Sequence, residues 1–229
     1  MSRRYSSADA RRRILATCTR LFVRNGYKDA KMSDIMKLAD VSTSTFHNIF
    51  GTKDGVLGAI MQFVFTHQFD TVARHCPADQ PAATLAIRAA VLLALTEQNE
   101  PLRELYVKSY TLPKIAESIS QRATADLCAL FSADESSMYE LSIGITGALC
   151  AYIGHPCSPY FPLERKTTCC LQMLLESLHL PEPDRQQALD CVAQLDIPAI
   201  AAETQTTLFR AMEREFHCRL RFPAAAAKA

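Results

Sequence analysis

A short stretch near the N-terminus carries hydrogen-bonding side chains and no acidic group. Its members are Thr43, Ser44, His47 and Asn48. Ser42, just before them, can cap a helix by accepting a hydrogen bond from an unpaired backbone N–H group. If Phe46, Ile49 and Phe50 form the inward face of that helix, the polar residues face outward. Because a helix against DNA must keep carboxylates away from phosphate and offer donors to base edges, the pattern predicts a DNA-facing helix.

Further helices are needed to position this one. Upstream, a long amphipathic helix ends at Asn25-Gly26, and a short second helix carries Ile35 and Ala39 on its inward face. Downstream, Thr52 is predicted to cap the helix that leaves this region. Lys53 then lies beside free N–H groups at a helix start, which is a site suited to a backbone phosphate. These elements predict a helix-turn-helix arrangement.

The residues that define these helices and turns follow one another without gaps between about residues 8 and 57. They are Leu21-Phe22, Asn25-Gly26-Tyr27, Ile35, Ala39, Val41-Ser42, Phe46, Phe50, Lys53 and Leu57. In this order they resemble the N-terminal domain of the TetR family of transcriptional regulators. The resemblance implies a three-helix helix-turn-helix domain over residues 1–53 that binds double-stranded DNA.

The resemblance also implies which side chains approach DNA. By their place in the motif they are Lys31, Ser33, Ser42, Thr43, Ser44, Thr45, Phe46, His47, Asn48 and Lys53. Asp40 stands where the family usually has the glycine of the turn, and it tolerates a left-handed backbone better than most residues. Phe46 replaces a usual tyrosine. Lys31 replaces a small hydroxyl residue, so it cannot cap a helix but can meet a phosphate by charge.

The charge distribution favours DNA binding independently of the resemblance. Residues 1–54 hold 11 Lys and Arg and 5 Asp and Glu, whereas the rest of the chain holds 14 and 19. The formal net charge of +1 therefore hides a basic N-terminal region and an acidic remainder. A protein needs this asymmetry if only one end is to approach phosphate. For a single arginine such as Arg12, a solvated helix face is the simpler interpretation.

The remainder of the chain is predicted to be a helical body. All 11 prolines lie at residue 77 or later and divide it into helix-length pieces with apolar residues at helical spacing. The pieces are about 54–76, 81–99, 101–111, 113–131, 135–155, 162–180, 184–196 and 198–222. No segment alternates like a strand for long, and no glycine-rich loop of a nucleotide-binding type is present. We predict an all-α protein in which a larger C-terminal helical domain, residues 54–223, follows the helix-turn-helix domain.

Several classes of function are disfavoured. No apolar signal segment occurs, and residues 141–153 are too few and too polar to cross a bilayer, so we expect a cytoplasmic protein that does not bind membranes. Nine cysteines, an odd number, fit a reducing compartment. A soft metal or a thiol switch could use those between residues 150 and 170, but their spacings match no zinc pattern, and packed thiols are preferred. No HExxH motif or paired carboxylates in an apolar groove occur, so we predict no enzyme, no metal site and no cofactor.

The resemblance to the TetR family implies a regulatory role for the body, because such proteins are homodimers with a four-helix bundle at the interface and a small-molecule pocket. We place the dimer helices at 135–154 and 162–179, where Gly144 and Gly147 allow close approach; buried helices of a monomer are the alternative. Candidates for contacts to an effector of unknown identity are aromatic or lie in the connecting helix. They are Phe65, His67, Tyr106, Tyr110 and Tyr152. For each of them, a core, interface or surface position is the simpler alternative.

These features predict a ligand-responsive transcriptional regulator. The simplest form is a repressor that binds a palindromic operator as a homodimer and is released by a small molecule. The alternative is a helical protein-interaction module, derived from such a regulator, with lost or weak DNA binding. Lys31, Asp40, Phe46 and Gly55 depart from the family pattern near the DNA face and keep that alternative open. Operator binding weakens steeply with salt and differs between sequences, which separates the two.

Overall fold

The computed structural model of the chain describes residues 6–220, which fold as an all-helical protein. The N-terminal helices are α1 (Ser7–Asn25), α2 (Met32–Ala39), α3 (Thr43–Phe50) and α4 (Lys53–His67). A short 3-10 helix, Val72–His75, leads to the others. These are α5 (Pro81–Gln98), α6 (Glu100–Tyr110), α7 (Pro113–Phe131), α8 (Glu135–Gly154), α9 (Leu163–Ser177), α10 (Glu182–Ala193) and α11 (Ile197–Glu215). The predicted all-α fold class is confirmed. The ends of the two predicted domains, residues 1–5 and 221–223, lie outside the described residues.

The first three helices form a small unit, named here the head (residues 7–50). Its apolar core contains Ile14 and Phe22 of α1, Ile35 of α2 and Phe46 of α3, all fully buried. Each helix contributes its inward stripe at a spacing of three or four, which is how short amphipathic helices share one core. The folded structure of the head is therefore stabilised by few core side chains.

Local chemistry fixes the turns of the head as the sequence predicts. The Ser42 hydroxyl caps α3 by accepting a hydrogen bond from the Thr45 N–H at 3.1 Å. The Thr52 hydroxyl caps α4 by accepting one from the Gly55 N–H at 3.2 Å. Asp40, between α2 and α3, has φ 50° and ψ 55°. This is a left-handed conformation that aspartate tolerates better than most residues, so the turn forms without glycine.

The larger unit, named here the body (residues 53–220), is built around α5. Of the 18 residues of α5, 13 are buried. Its neighbours α6, α8, α9, α10 and α11 all pack against it, and its many alanines allow their close approach. The sequence suggests no role for the helices after residue 183. In the structure α10 and α11 cover one flank of α5, and the Gln98 amide donates to the Pro198 carbonyl at 2.9 Å.

A buried lysine ties α5 to the segment between α8 and α9. The Lys166 side chain is completely buried, donates to the His155 carbonyl oxygen at 2.6 Å and lies 3.3 Å from Glu97 Oε2. Glu97 also accepts a hydrogen bond from the Cys157 N–H at 2.9 Å. Burial raises the pKa of Glu97, but the Cys157 N–H and the Lys166 ammonium lower it by more, so the pKa is lowered overall. The buried ammonium is thus paired, as a charge in the interior must be.

Two helices are shorter than the sequence predicts. The expected helix over 54–76 is divided, because four residues separate the end of α4 from the start of the 3-10 helix. At the break, Gln68 turns into the body and accepts a hydrogen bond from the Tyr106 hydroxyl at 2.6 Å. The expected helix over 198–222 ends at residue 215, and His217 just beyond it adopts φ 50°, a conformation that stops a helix.

Candidate functional site

The outer face of α3 carries the polar residues that the sequence places there. The exposed side chains are Thr43, Ser44, His47 and Asn48. Phe46, which is also among the predicted DNA contacts, is fully buried in the head core. It therefore positions the helix and offers no atom to DNA in this structure. The exposed face of α3 carries hydrogen-bonding groups and no Lys, Arg, Asp or Glu, so it can approach a base edge without a carboxylate near phosphate.

His47 is oriented by the turn that ends α3. Its Nδ1 lies 2.5 Å from the Gly51 carbonyl oxygen. Because a carbonyl can only accept, Nδ1 carries the hydrogen of this bond, and in the neutral ring Nε2 is then an acceptor. The ring is exposed, so an acceptor in a fixed orientation is available on this face of the helix. An acceptor can receive a hydrogen bond from the exocyclic amino group of adenine or cytosine.

The other hydroxyl groups at the start of α3 form a local cluster. Ser42 Oγ lies 2.9 Å from Ser44 Oγ and 2.8 Å from Thr45 Oγ1, in addition to its capping bond. Lys31 and Ser33, at the start of α2, are exposed on the head, and Lys31 makes no side-chain capping bond. All five belong to the predicted DNA-binding set, and their contact with DNA stays a prediction.

The Lys53 ammonium faces inward. It donates a hydrogen bond to the Tyr27 carbonyl oxygen and lies 4.1 Å from the centre of the Tyr27 ring. Burial lowers the pKa of Lys53. The Tyr27 hydroxyl in turn donates to Asp54, and burial together with this bond raises the pKa of Tyr27. A phosphate contact by Lys53 stays a prediction, and it requires this ammonium to leave Tyr27 or to reach past it.

The arginines of α1 have partners within the head. The Arg11 guanidinium lies 4.8 Å from the centre of the Phe50 ring. Arg12 pairs with Asp9 at 2.6 Å, and Arg13 pairs with Asp40 at 3.1 Å. These contacts support the interpretation of single arginines as structural or solvated, while the positive balance of the N-terminal region remains.

Helix α6 joins the body to the head. The Glu104 carboxylate accepts a hydrogen bond from the Lys28 N–H at 3.0 Å, just after α1. Lys108 Nζ lies 3.8 Å from Asp54 Oδ1 at the start of α4. Gly26 has φ 85°, and a Cβ at this position would overlap the Glu104 carboxylate. Lys108 Nζ also lies 5.5 Å from the centre of the Tyr27 ring of the head. We name the contacts of Glu104 and Lys108 with Lys28, Tyr27 and Asp54 the α6 contact.

A cavity lies in the body on the other side of α6. Its volume is about 100 Å³, and it continues into a wider depression that is open to solvent. Pockets for small molecules are mostly apolar with a few placed polar groups. The wall is largely apolar and aromatic, and helices α4 to α8 all contribute to it.

The cavity contains three of the five predicted effector contacts. Phe65, Tyr106 and Tyr110 line it, and burial raises the pKa of both tyrosines. His67 instead pairs with Asp70 at 2.8 Å near the surface. Tyr152 of α8 lies outside the cavity wall.

Sequence reasoning did not find the charged and amide groups of the wall. They are Gln68, Arg88, Arg122 and Asp126. The local sequence does not distinguish Gln68, Arg122 and Asp126 from surface residues of amphipathic helices. The position of Arg88 among inward-facing residues of α5 is the one signal that could have pointed to it.

Helix α8 presents an uncovered face of small and apolar residues. Ile143 is 51% exposed, and a Cβ built at Gly144 or Gly147 meets no atom within 4 Å. This face lies within the segment 135–154, which the sequence predicts to be a dimer helix. It is available to a second chain.

Three further features concern membrane-spanning helices, metal-binding clusters and the cysteines. No helix among residues 6–220 is long and apolar enough to cross a membrane. Within the same range, no group of three or more His, Cys, Asp or Glu side chains could hold a metal ion. All nine cysteines are free thiols, and burial raises the pKa of Cys18 and Cys170 to about 12, which makes them poor nucleophiles.

A capped polar helix after a tight turn, carried on a three-helix core and attached to a helical body, defines a helix-turn-helix regulatory protein. Residues 14–60 match the family described as bacterial regulatory proteins, tetR family. Residues 14–60 thus carry a DNA-binding domain of the tetR type, which is the part of the chain that this match covers.

Solved structures also resemble the chain. One is a gamma-butyrolactone receptor, an ArpA-like protein, with 16% sequence identity and a TM-score of 0.46 over 86% of this chain and 98% of that one. Another is full-length TylP, a TetR regulator from Streptomyces fradiae, with 16% identity and a TM-score of 0.46 over 91% of this chain and 99% of that one. No curated protein sequence matches the chain.

Proposed function

We propose that this protein is a ligand-responsive transcriptional repressor that binds a palindromic operator as a homodimer and is released by a small-molecule effector. The observation that carries the proposal is the position of α6 between the two candidate sites. Tyr106 and Tyr110 of α6 line the cavity. Glu104 and Lys108 of the same helix contact Lys28 and Tyr27 of the head. A change in cavity occupancy that moves α6 must therefore also act on the α6 contact.

The mechanism follows from linkage between the two sites. A ligand shifts the protein toward the conformation that it binds better, by no more than its difference in affinity between the two. If the ligand prefers a body in which α6 is displaced, Glu104 and Lys108 carry the loop after α1 and the start of α4 with them. The two heads of a dimer are then wrongly spaced for DNA, and operator affinity falls.

The dimer is proposed to form through α8 and α9. The exposed face of α8 around Gly147 supports this, because small residues allow the backbones of two helices to approach closely. One head covers few base pairs, whereas two heads about 34–36 Å apart read half-sites one helical turn apart on the same face of DNA. Dimerisation therefore supplies the footprint that specific binding requires.

Selection of genomic DNA fragments by the purified protein tests the proposal. The best fragment is titrated at several salt concentrations beside a scrambled duplex of the same length. We expect a palindromic site whose affinity falls steeply with salt, with a preference of about a thousandfold or more over the scrambled duplex. Weak binding that is equal for both duplexes would favour the protein-interaction module instead.

Sedimentation of an α8 variant tests the dimer. Gly147→Arg adds a long charged side chain where the subunit itself leaves room, so we expect a folded monomer that binds the operator weakly. Ala129→Arg, at an exposed position of α7, is the matched control and should sediment as the parent does. A Gly147→Arg protein that remains dimeric contradicts the assignment of this face.

A further inference from the structure

The cavity wall contains two cationic groups that have no carboxylate partner among residues 6–220. Arg88 comes from α5 and Arg122 from α7, and both line the cavity. Asp126, one turn beyond Arg122, is the acidic residue of the wall. The wall therefore carries an excess of one positive charge in largely apolar surroundings.

Arg88 is held in place but not neutralised. Its guanidinium carbon lies 5.3 Å from the centre of the Phe69 ring, another residue of the wall. Its Nε is buried and has no hydrogen-bond partner. Arg88 makes no ion pair with a carboxylate anywhere in residues 6–220. A buried donor without a partner costs free energy, and a ligand acceptor would remove that cost.

Among residues 6–220, the hydrogen-bond partner of Arg122 is a neutral hydroxyl group. Its NH1 group donates to the Thr66 hydroxyl of α4 at 3.1 Å, and it forms no ion pair within the described part of the chain. Asp126 likewise makes no ion pair there. Gln68 adds a neutral donor, since its Oε1 accepts from Tyr106 and its amide N–H groups remain for another acceptor.

We propose that the cavity binds an amphipathic organic acid. Its apolar chain or ring packs between Phe65, Leu92 and Leu149, and its carboxylate binds Arg88 and Arg122. Arginine suits this role because its fork of donors matches the two oxygens of a carboxylate. This inference depends on the proposed function, because it assumes that this cavity is the effector site.

The same contact explains how such a ligand acts on the head. A carboxylate at Arg122 competes for the guanidinium that donates to Thr66 of α4. Helix α4 runs from Lys53 at the head to the wall of the cavity. Ligand binding at Arg122 thus changes a contact of the helix that connects the two sites.

Binding of decanoate and decanamide to the full-length protein, measured without DNA, tests the proposal. The two molecules have nearly the same shape and differ in charge. Displacement of the neutral fluorescent probe N-phenyl-1-naphthylamine reports occupancy of the cavity by either one, at concentrations below micelle formation. We expect decanoate to bind about tenfold or more tightly than decanamide, the size of one charge-assisted hydrogen bond.

Variants of the cavity wall identify the residues that cause the preference for decanoate over decanamide. Arg88→Gln and Arg122→Gln should each reduce the preference for decanoate to about threefold or less, whereas Arg88→Lys should retain part of it because the charge remains. Asp126→Asn should increase it, because it removes a charge that repels the ligand. Arg210→Gln, at an exposed position of α11 outside the cavity, is the matched control and should leave it unchanged. Circular dichroism verifies that each variant is folded.

The proposal is overturned if decanamide binds as tightly as decanoate, if neither displaces the probe, or if the preference persists in both glutamine variants. Because no DNA is present, these results are independent of operator binding. A protein that selects no operator could still bind decanoate through its arginines, and an operator-binding protein could still fail this test.

Discussion

The head and the cavity display their polar groups in opposite ways. On the head, the hydrogen-bonding groups of α3 are exposed on a convex surface, and nearby charges such as Arg12 and Arg13 already have carboxylate partners. In the cavity, the polar groups lie in a concave, mostly apolar wall, and Arg88 has no carboxylate partner among residues 6–220. The convex head can therefore hydrogen-bond to a partner whose surface fits around it. The concave cavity instead favours a ligand that carries a negative charge.

The two regions also differ in how they are stabilised. The head depends on a few completely buried side chains from three short helices, whereas the body surrounds a long central helix and contains a buried ion pair. A small core loses a larger share of its stability when one side chain is truncated. The difference predicts that single substitutions can inactivate the head while the cavity stays formed.

Phe46→Ala should separate the two regions most strongly. Removal of a fully buried phenylalanine costs about 3–5 kcal/mol of folding free energy, and Phe46 lies in the centre of the small head core. We expect DNA binding to be lost while the cavity still binds N-phenyl-1-naphthylamine with nearly the parental affinity. Urea denaturation followed by circular dichroism measures the loss of stability.

Leu38→Ala is the control for this prediction. Leu38 is one of the exposed large apolar side chains of the head, so its truncation should change stability by about 0.5 kcal/mol or less. If Phe46→Ala abolished binding of the neutral probe as well, the cavity would depend on an intact head, and the two regions would not differ in stability as stated.

Lys166→Ala should destabilise the body. It leaves Glu97 and the His155 carbonyl without their buried partner, and removal of one member of a buried pair costs about 3 kcal/mol. Arg165→Ala, at the exposed neighbouring position, is the control and should be nearly neutral. Thermal unfolding of both variants, monitored at one protein concentration, measures the difference.

The same ion pair gives the body a pH dependence with a defined sign. The pKa of Glu97 is lowered in the folded protein, so its contribution to stability is present above the ordinary carboxyl pKa of about 4.3 and is lost as the pH falls through the folded value. Glu97→Gln should therefore lose stability more slowly than the parent between about pH 5 and pH 3. A parallel loss in both proteins would contradict the assignment.

His47→Ala tests the exposed face of α3. If Nε2 accepts a hydrogen bond from a base, its removal should reduce discrimination at one base pair of each half-site by about 1–2 kcal/mol. Affinity for a scrambled duplex should change little, because that binding depends on phosphate contacts. Competition titrations with operators changed at single positions measure the effect. Lys53→Ala is the contrasting variant: if Lys53 contacts a phosphate, its loss should weaken binding to all duplexes alike.

Features set by local chemistry could be predicted from the sequence. Ser42 and Thr52 cap their helices, and Asp40 adopts the left-handed turn, because each depends on neighbours within a few residues. The prolines mark helix starts for the same reason, since the ring fixes φ and removes a donor. The order and number of the helices in the body follow from these signals.

Features set by distant neighbours could not be predicted. The inward position of the Lys53 ammonium depends on Tyr27, and the break after α4 coincides with the bond between Gln68 and Tyr106. The arginines of the cavity have the same spacing as solvated residues of an amphipathic helix. What distinguishes them is the packing of five helices around one space, which sequence periodicity does not contain.

Lys108→Met tests whether the two regions are coupled through α6, with the smallest expected effect. Its charge pairs with Asp54, and its ammonium lies 5.5 Å from the centre of the Tyr27 ring, so its loss should loosen the α6 contact without touching either site. We expect operator affinity without ligand and decanoate affinity without DNA to stay within about twofold of the parent. The factor by which decanoate weakens operator binding should fall about fivefold, because coupling between sites is typically 1–3 kcal/mol and this contact carries part of it.

Lys114→Met is the matched control for the coupling measurement. Lys114 is exposed at the start of α7 and has the same charge, so its loss should leave the decanoate effect as in the parent. If decanoate binds but does not weaken operator binding in the parent, the effector is another ligand. Lys108→Met and Lys114→Met are then compared with that ligand in place of decanoate. If Lys108→Met responds to the ligand as fully as Lys114→Met does, the signal does not pass through this contact. The direct continuity of α4 from the cavity wall to the head would then be another connection to test.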